Sequence, residues 1–327
     1  MSALALKGPA WVTVRQYRRT LWLALALAVL ALAVVAGLRI WAAQHPVAHM
    51  KDGVWAASAQ DDAYLKLRWI LEYVGFATIV LPGFVAAVVA GPMVAREYES
   101  GTYQLSLTQS VSPADWLRSK LTVATVVGVL AALAVMGIFW FGRIGVRKGW
   151  DYHWGQQATY TATGITVFAH VLAAVAVGAL VGQLVRRTVP AMAAAGLAMG
   201  SLLAVFNAYR WSILPTERDA GPLGSHAELP ADHLYMDSGL LTSSGTRFNE
   251  AVCWTRANAT PGSDADPALW EKVEKECYAE HGVTTRFIDF HPSSHFWPTQ
   301  LIETGIVLAL AALAVFAAFR VLRARHS

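Results

Sequence analysis

The sequence predicts an all-α polytopic membrane protein with six transmembrane helices, and three observations support this prediction. The chain is 55% hydrophobic and only 15% charged, whereas a soluble domain carries about 25% charged residues. The apolar residues cluster into six runs. Each run has at least about 18 residues, the length that a helix needs to cross the bilayer core. Charged residues flank these runs and mark their ends. Each run is expected to form a helix because a helix satisfies its own backbone hydrogen bonds in lipid.

Residues 1–20 precede the first run and combine apolar residues at every third position with a set of arginines. This pattern is typical of a short amphipathic helix that lies on the membrane surface, although a plain basic flank would have the same composition. We predict an N-terminal interfacial helix. Its apolar residues are Trp11, Val14 and Tyr17, and its basic residues are Arg15, Arg18 and Arg19.

The six runs predict six spans, with a bend in the second and a marked start to the third. Pro82 lies in the middle of the second span, and proline kinks a helix because it cannot donate a backbone hydrogen bond. Ser112, Pro113 and Asp115 form the N-cap, first-turn proline and first-turn acid that begin many helices. The predicted spans are 21–43, 73–94, 121–141, 162–185, 189–207 and 298–319.

The segment between the fifth and sixth spans differs in charge from the rest of the chain. Residues 209–296 contain 13 acidic and 7 basic residues, while the remainder contains 9 and 19. A basic remainder could indicate nucleic acid binding, but these bases flank apolar runs and are better explained by membrane orientation. We predict a membrane domain at 1–208, a small domain of mixed structure at 209–296, with a helix at 268–280, and a sixth span with its tail at 297–327.

The distribution of bases predicts that both termini are cytoplasmic, since cytoplasmic loops carry the excess of Lys and Arg. With that orientation, twelve bases lie on the cytoplasmic side and six lie in the two short outer loops. The outer cluster Arg143, Arg147 and Lys148 opposes the rule. Residues 209–296 would then be extracytoplasmic.

The two cysteines, Cys253 and Cys277, both lie in this acidic segment. Disulfides persist outside the cytoplasm, so we predict that the pair forms one, although two free thiols remain an alternative. The spacings Cys277-x-x-x-His281 and His291-x-x-x-His295 suit zinc, but the cysteines are better explained by a disulfide. We therefore expect no metal site.

The chain lacks the Gly-x-x-x-x-Gly-Lys-Ser/Thr phosphate loop, so it should not bind ATP in that manner by itself. Its most informative polar stretch directly follows the second span, at residues 96–105. This stretch has paired acids beside an arginine and a glycine. It could form a turn and a short helix that dock on a soluble partner, and an ordinary polar loop is the alternative.

A family resemblance is carried by this stretch, by Thr108-Gln109-Ser110-Val111-Ser112, and by Trp116-Leu117-x-x-Lys120. Together with the order of the spans, these residues resemble the permease subunits of ATP-binding-cassette exporters. The chain is similar in particular to an actinobacterial branch with six spans and a large loop before the last. His291-Pro292 and Ile302-Glu303-Thr304-Gly305 also resemble that branch.

The resemblance implies a bacterial cell-membrane exporter in which residues 96–112 couple the permease to its motor. Two permeases, identical or different, would pair, and each would contact a cytoplasmic ATPase subunit that holds ATP and magnesium. No residue of this chain would be catalytic, and no cofactor is expected in it. A hydrophobic or amphiphilic substrate, such as a drug, antibiotic, lipid or peptide, would be exported. The expected coupling residues are Arg96, Glu97, Tyr98, Glu99, Gly101 and Thr102.

Two polar residues inside spans are candidates for the transport path, because ionisable or polar groups in a membrane are often functional. They are His170 in the fourth span and Asn207 in the fifth; a neutral histidine bonded to a neighbouring helix is the alternative for His170. Glu303 is interpreted as an acid at the positive end of a helix dipole. Two other function classes remain open for the whole chain, a membrane-anchored enzyme or a sensor acting through residues 209–296.

Overall fold

The computed structural model describes residues 9–44, 59–107, 112–144 and 152–325. Residues 108–111 of the predicted coupling segment lie outside the described residues, as do Lys7, Lys51, Arg147 and Lys148 of the charge count. The chain divides into two compact units. We call Leu214–Phe296 the sheet unit and the rest of the chain the membrane unit.

In its described residues the membrane unit is all-helical, and six of these helical stretches are long and apolar enough to cross a membrane. This confirms the predicted fold class. A π-helix, Val85–Ala90, lies between α2 and α3 without breaking the second span, and a 3₁₀ turn, Arg210–Ser212, follows α8. The helices are α1 (Pro9–Gln44), α2 (Ala59–Phe84), α3 (Gly91–Glu99), α4 (Thr102–Leu107), α5 (Pro113–Arg143), α6 (Gln157–Thr163), α7 (Thr166–Val185), α8 (Thr188–Tyr209) and, after the sheet unit, α11 (Phe296–Arg323).

The start of α1 differs from the prediction of a separate interfacial helix. Residues 9–20 are the first turns of one continuous helix that runs to Gln44, because neither proline nor glycine interrupts the sequence between Pro9 and Gly37. Val14 and Tyr17 pack against the core of the membrane unit, while Trp11 and Arg15 are exposed. Two of the three apolar residues of the pattern therefore contact the protein rather than the membrane surface.

The second span contains a π-helix just after its proline, and the third span begins with the predicted cap. Pro82 lies within α2, and the six-residue π-helix follows it; π turns accommodate local mismatches in helical hydrogen bonding. At the start of α5, Ser112 Oγ accepts a hydrogen bond from the backbone N–H of Asp115 at 3.1 Å. The predicted N-cap is thus confirmed.

The fourth span begins later than predicted, because the helix breaks at Gly164 between α6 and α7. Gln300 of α11 fills the break: its Oε1 accepts from the N–H groups of Ile165 and Thr166 at 2.9 and 3.0 Å, and its Nε2 donates to Tyr160 O at 3.0 Å. A Cβ on residue 164 would lie 1.9 Å from Gln300 Nε2. Only glycine fits there, and Gln300 satisfies three of the backbone groups at the break.

The span α7 is the most buried of the six and packs against α3, α5, α8 and the π-helix. Glycines allow this close approach. A Cβ on Gly178 would lie 2.6 Å from Ala90 Cβ, and one on Gly182 would lie 2.6 Å from Gly91 O. The paired small residues of α7 therefore serve packing within one chain.

Replacing Gly182 by alanine is expected to destabilise the protein by about 1–3 kcal/mol, as overpacking of a tight core does. The added Cβ meets a backbone oxygen that cannot move independently. Gly200→Ala on α8 is the matched control, because a Cβ there has no heavy atom within 4 Å; it should be neutral or slightly stabilising. Thermal unfolding of the detergent-purified chain measures both, and equal Tm values for the two variants would contradict this packing argument.

The sheet unit contains one antiparallel four-stranded sheet of order β1-β4-β2-β3, with two helices after β3. The predicted helix 268–280 is present as α10. Ion pairs cross the sheet surface: Arg218 binds Asp289 and Arg247 binds Asp237. The elements are β1 (Glu217–Pro222), β2 (Leu234–Thr242), β3 (Arg247–Phe248), α9 (Ala251–Ala259), α10 (Pro267–Glu280) and β4 (Val283–His291), followed by a 3₁₀ turn (Ser293–His295).

Candidate functional site

The end of α3 is tied to the start of α5 by Glu97. Its carboxylate accepts a hydrogen bond from Trp116 Nε1 at 2.6 Å and forms an ion pair with Lys120. Lys120 is only 4% exposed, and removing one partner of such a sequestered pair leaves an uncompensated charge. We call this end of the helix bundle the Glu97 end.

Aromatic contacts hold α4 against the same helices. Tyr98, Tyr103 and Trp116 form a cluster, with ring centroids 4.6 Å apart for the two tyrosines and 4.7 Å apart for Tyr103 and Trp116. Aromatic pairs at such distances stabilise beyond the area they bury. Burial raises the pKa of Tyr103 above its ordinary value. The short helix α4 is therefore fixed to α3 and α5.

Glu99 links α3 to the start of α8. Its Oε2 accepts a hydrogen bond from the backbone N–H of Thr188 at 2.9 Å and a second from the Thr188 hydroxyl. An acid at this position satisfies an otherwise unpaired N–H and suits the positive end of the helix dipole.

The remaining predicted coupling residues shape the turn between α3 and α4. Gly101 has φ +71°, a conformation that glycine adopts at no steric cost. Thr102 Oγ1 lies 2.8 Å from Ser100 Oγ, and Arg96 is exposed on α3. The turn thus leaves Arg96 and Thr102 accessible while Glu97 and Glu99 point to neighbouring helices.

A fifth helix joins the Glu97 end through Arg325, just after α11. Its guanidinium lies 5.7 Å from the centre of the Tyr98 ring and donates to Gln183 O at 2.8 Å. Sequence reasoning missed Arg325 and Thr188, which are far from residues 96–112 in the chain. A basic residue after a span and a threonine before one are too common to indicate such contacts.

The opposite end of the bundle contains a second polar cluster, centred on Glu303 of α11. Arg210 donates two hydrogen bonds to its carboxylate, at 2.8 and 3.0 Å, and Tyr160 donates one at 3.2 Å. Glu303 is 0% and Arg210 6% exposed. From the sequence, Glu303 was interpreted as an acid at the positive end of a helix dipole. The structure shows instead that it forms an ion pair with Arg210. The sequence did contain a signal for this pair, since two opposite charges lie at the same end of the spans.

The two predicted path residues lie beside this cluster. His170 Nδ1 is 2.9 Å from Thr166 O, and its Nε2 is 3.7 Å from Glu303 Oε1. Asn207 and His170 line a small cavity together with Arg210, and Asn207 Oδ1 is buried without a hydrogen-bond partner among the described residues. The structure brings the two residues together, and their role in transport stays a prediction.

A larger cavity of about 710 Å³ opens at the same end of the membrane unit. Most of its accessible lining is apolar, with two charged residues, Arg68 and Glu72, at α2. This volume lies in the range of about 300–1,000 Å³ typical of sites for small organic ligands. Its aromatic lining residues are Trp69, Tyr73, Phe76, Phe139, Tyr152 and Trp211.

In the sheet unit, Cys253 of α9 and Cys277 of α10 form the predicted disulfide. His281 lies beside them, with its ligand atom and the two sulfurs within 4.8 Å of one another. The sulfurs are bonded to each other, so the oxidised group does not offer a set of thiolate ligands to a metal.

Comparison of the sequence with known protein families identifies one that matches. A family model described as "ABC-2 membrane transporter related" matches residues 23–210, which include α2 to α8 and the whole of residues 96–112. No curated protein matches the chain. The match covers more than half of the 327 residues. The chain is a multi-pass membrane protein and the non-catalytic membrane component of a transporter. It belongs to the ABC-2 membrane transporter related family.

Proposed function

We propose that the chain is the permease subunit of an ATP-driven exporter, in which residues 96–112 transmit the work of a separate cytoplasmic ATPase to the spans. The observation that carries this proposal is the anchoring of α3 and α4 at the Glu97 end. Glu97 connects them to α5, Glu99 connects them to α8, and Tyr98 contacts Arg325 just after α11. A push on α4 would therefore move several spans at once.

The orientation of the proposed exporter follows from the charges at the two ends of the bundle. Exposed arginines flank the spans at the Glu97 end, and they favour a cytoplasmic location for it and for both chain termini. The sheet unit then lies outside, where its disulfide is stable. These arginines include Arg18, Arg19, Arg118, Arg186, Arg187, Arg320 and Arg323.

ATP and magnesium bind to the partner ATPase in this proposal, because the sequence contains no phosphate loop of its own. Two permeases, either two copies or a copy and a relative, work together and each contacts one ATPase. The substrate is hydrophobic or amphiphilic. The apolar, aromatic lining of the 710 Å³ cavity supports that substrate class.

The docking role of α4 is tested by adding two arginines at its exposed positions, Thr102→Arg with Gln104→Arg. Both residues are exposed, so the permease should fold while contact with the ATPase is lost. We expect vanadate-sensitive ATPase activity that co-purifies with the chain to fall by about tenfold or more, as loss of a central interface contact does.

The matched control is Glu276→Arg, which adds positive charge to an exposed position of α10 in the sheet unit. It should retain the wild-type ATPase activity. If wild-type protein purified from its own membranes carries no ATPase, the exporter proposal fails. If it carries an ATPase that both variants retain equally, the assignment of docking to α4 is wrong.

A further inference from the structure

Two histidines of the sheet unit face each other through the same type of nitrogen. His291 Nδ1 and His295 Nδ1 are 2.9 Å apart, and their ring planes are inclined by 58°. His291 is 1% exposed, and the His295 side chain is 19% exposed. One ring therefore lies in the interior while the other has an edge in solvent.

The backbone fixes this arrangement. His291 is the last residue of β4, where its Cα pairs with that of Leu234 in β2. The chain then turns through Ser293–His295, where the His295 N–H donates to Pro292 O at 3.0 Å. The turn brings His295 back to His291, so that the ring nitrogens of two residues four positions apart lie close together.

A carboxylate stands behind the second histidine. Glu217, at the start of β1, has its Oε1 3.7 Å from His295 Nε2, and β1 is held beside β4 by the pairing of Glu217 with Phe290. A carboxylate on the far nitrogen of a histidine orients the ring and increases the basicity of the nitrogen that binds metal.

We propose that His291 Nδ1 and His295 Nδ1 bind one divalent transition-metal ion, with Glu217 as the positioning residue for His295. Nitrogens 2.9 Å apart that lie about 2.0–2.1 Å from one ion subtend an angle of roughly 90°. This angle fits the tetragonal geometry of Cu²⁺ or Ni²⁺ better than the tetrahedral geometry of Zn²⁺, and Cu²⁺ binds most tightly in the general affinity order. Water completes the coordination.

The ion takes the place of the proton between the two rings, each of which then carries its remaining proton on Nε2. For His295 that proton points to Glu217. Because metal and proton compete for the same nitrogens, binding should weaken as the pH falls. His281, beside the disulfide, is less available to a metal ion because its Nδ1 is hydrogen-bonded to Cys277 O at 2.8 Å.

The test uses the full-length chain in detergent, purified through an affinity tag that contains no histidine. Isothermal titration with Cu²⁺ should show a single site per chain. Electron paramagnetic resonance of the copper complex should show coupling to two imidazole nitrogens, and labelling with ¹⁵N-histidine should change that coupling pattern. The second measurement requires no substitution, so it stands even if a variant does not fold.

His295→Gln should abolish the site, while Glu217→Gln should weaken binding by about tenfold, the effect typical of a lost outer-shell partner. His226→Gln and His281→Gln are matched controls, since both change exposed histidines of the same unit, and they should bind Cu²⁺ as the wild type does. The proposal is overturned if wild-type protein shows no histidine-nitrogen coupling, or if His295→Gln keeps the wild-type affinity. Neither result bears on transport.

Discussion

Replacing Glu303 by glutamine is expected to destabilise the membrane unit by about 3–5 kcal/mol, the cost of removing one partner from a buried ion pair. The amide keeps the size of the side chain but not its charge. Arg210, which is 6% exposed and gives two hydrogen bonds to the carboxylate, would keep its charge in the interior without this carboxylate partner. The Tm of the detergent-purified chain should fall sharply.

Glu72→Gln is the matched control, because Glu72 is exposed on α2 and its loss should change Tm little. The double variant Arg210→Met with Glu303→Met gives a second check. It removes both charges, and buried ion pairs are often replaced by apolar residues at small cost. The double variant should therefore be more stable than Glu303→Gln alone. A Glu303→Gln protein with the wild-type Tm would show that the pair contributes nothing.

The spans could be predicted from the sequence because hydropathy is a local property. A run of apolar residues marks a helix in lipid wherever its contacts lie. The N-cap at Ser112 and the helix α10 were equally local, since a cap uses residues three apart and an amphipathic helix uses residues on adjacent turns. These elements match the structure closely.

Features that depend on distant residues could not be predicted. The break at Gly164 is stabilised by Gln300, more than a hundred residues later. The segment β1 forms a strand because it pairs with β4, near the other end of the sheet unit's sequence. Propensity alone does not report such pairings.

The candidate site shows the same division. Glu97 and Glu99 were singled out by motif, and the structure gives each a specific partner. Of these partners, Trp116 and Lys120 lie in a matching motif nearby, whereas Thr188 is 89 residues from Glu99. A motif can identify a polar segment, but only the fold shows which helices that segment is bonded to.

Replacing both cysteines by serine is expected to destabilise the sheet unit by about 3 kcal/mol, from the loss of the cross-link that closes a loop between residues 24 apart. The bridge joins α9 to α10 beside Tyr278 and Val283. Hydrogen exchange of peptides from these two helices measures the change, because it reports local opening free energies. Peptides from α7 should exchange as in the wild type, which makes them an internal control.

Reducing the wild-type protein should reproduce the exchange of the Cys253→Ser, Cys277→Ser variant, and reductant should have no effect on the variant. The same cysteines test the orientation. In intact cells, a membrane-impermeant maleimide should label the wild type only after an impermeant reductant has been added, since a disulfide outside the membrane is reached by both reagents. Labelling that requires permeabilised cells would place the sheet unit in the cytoplasm. It would then remove the Glu97 end from the reach of an ATPase, while the stability effect of the disulfide would still hold.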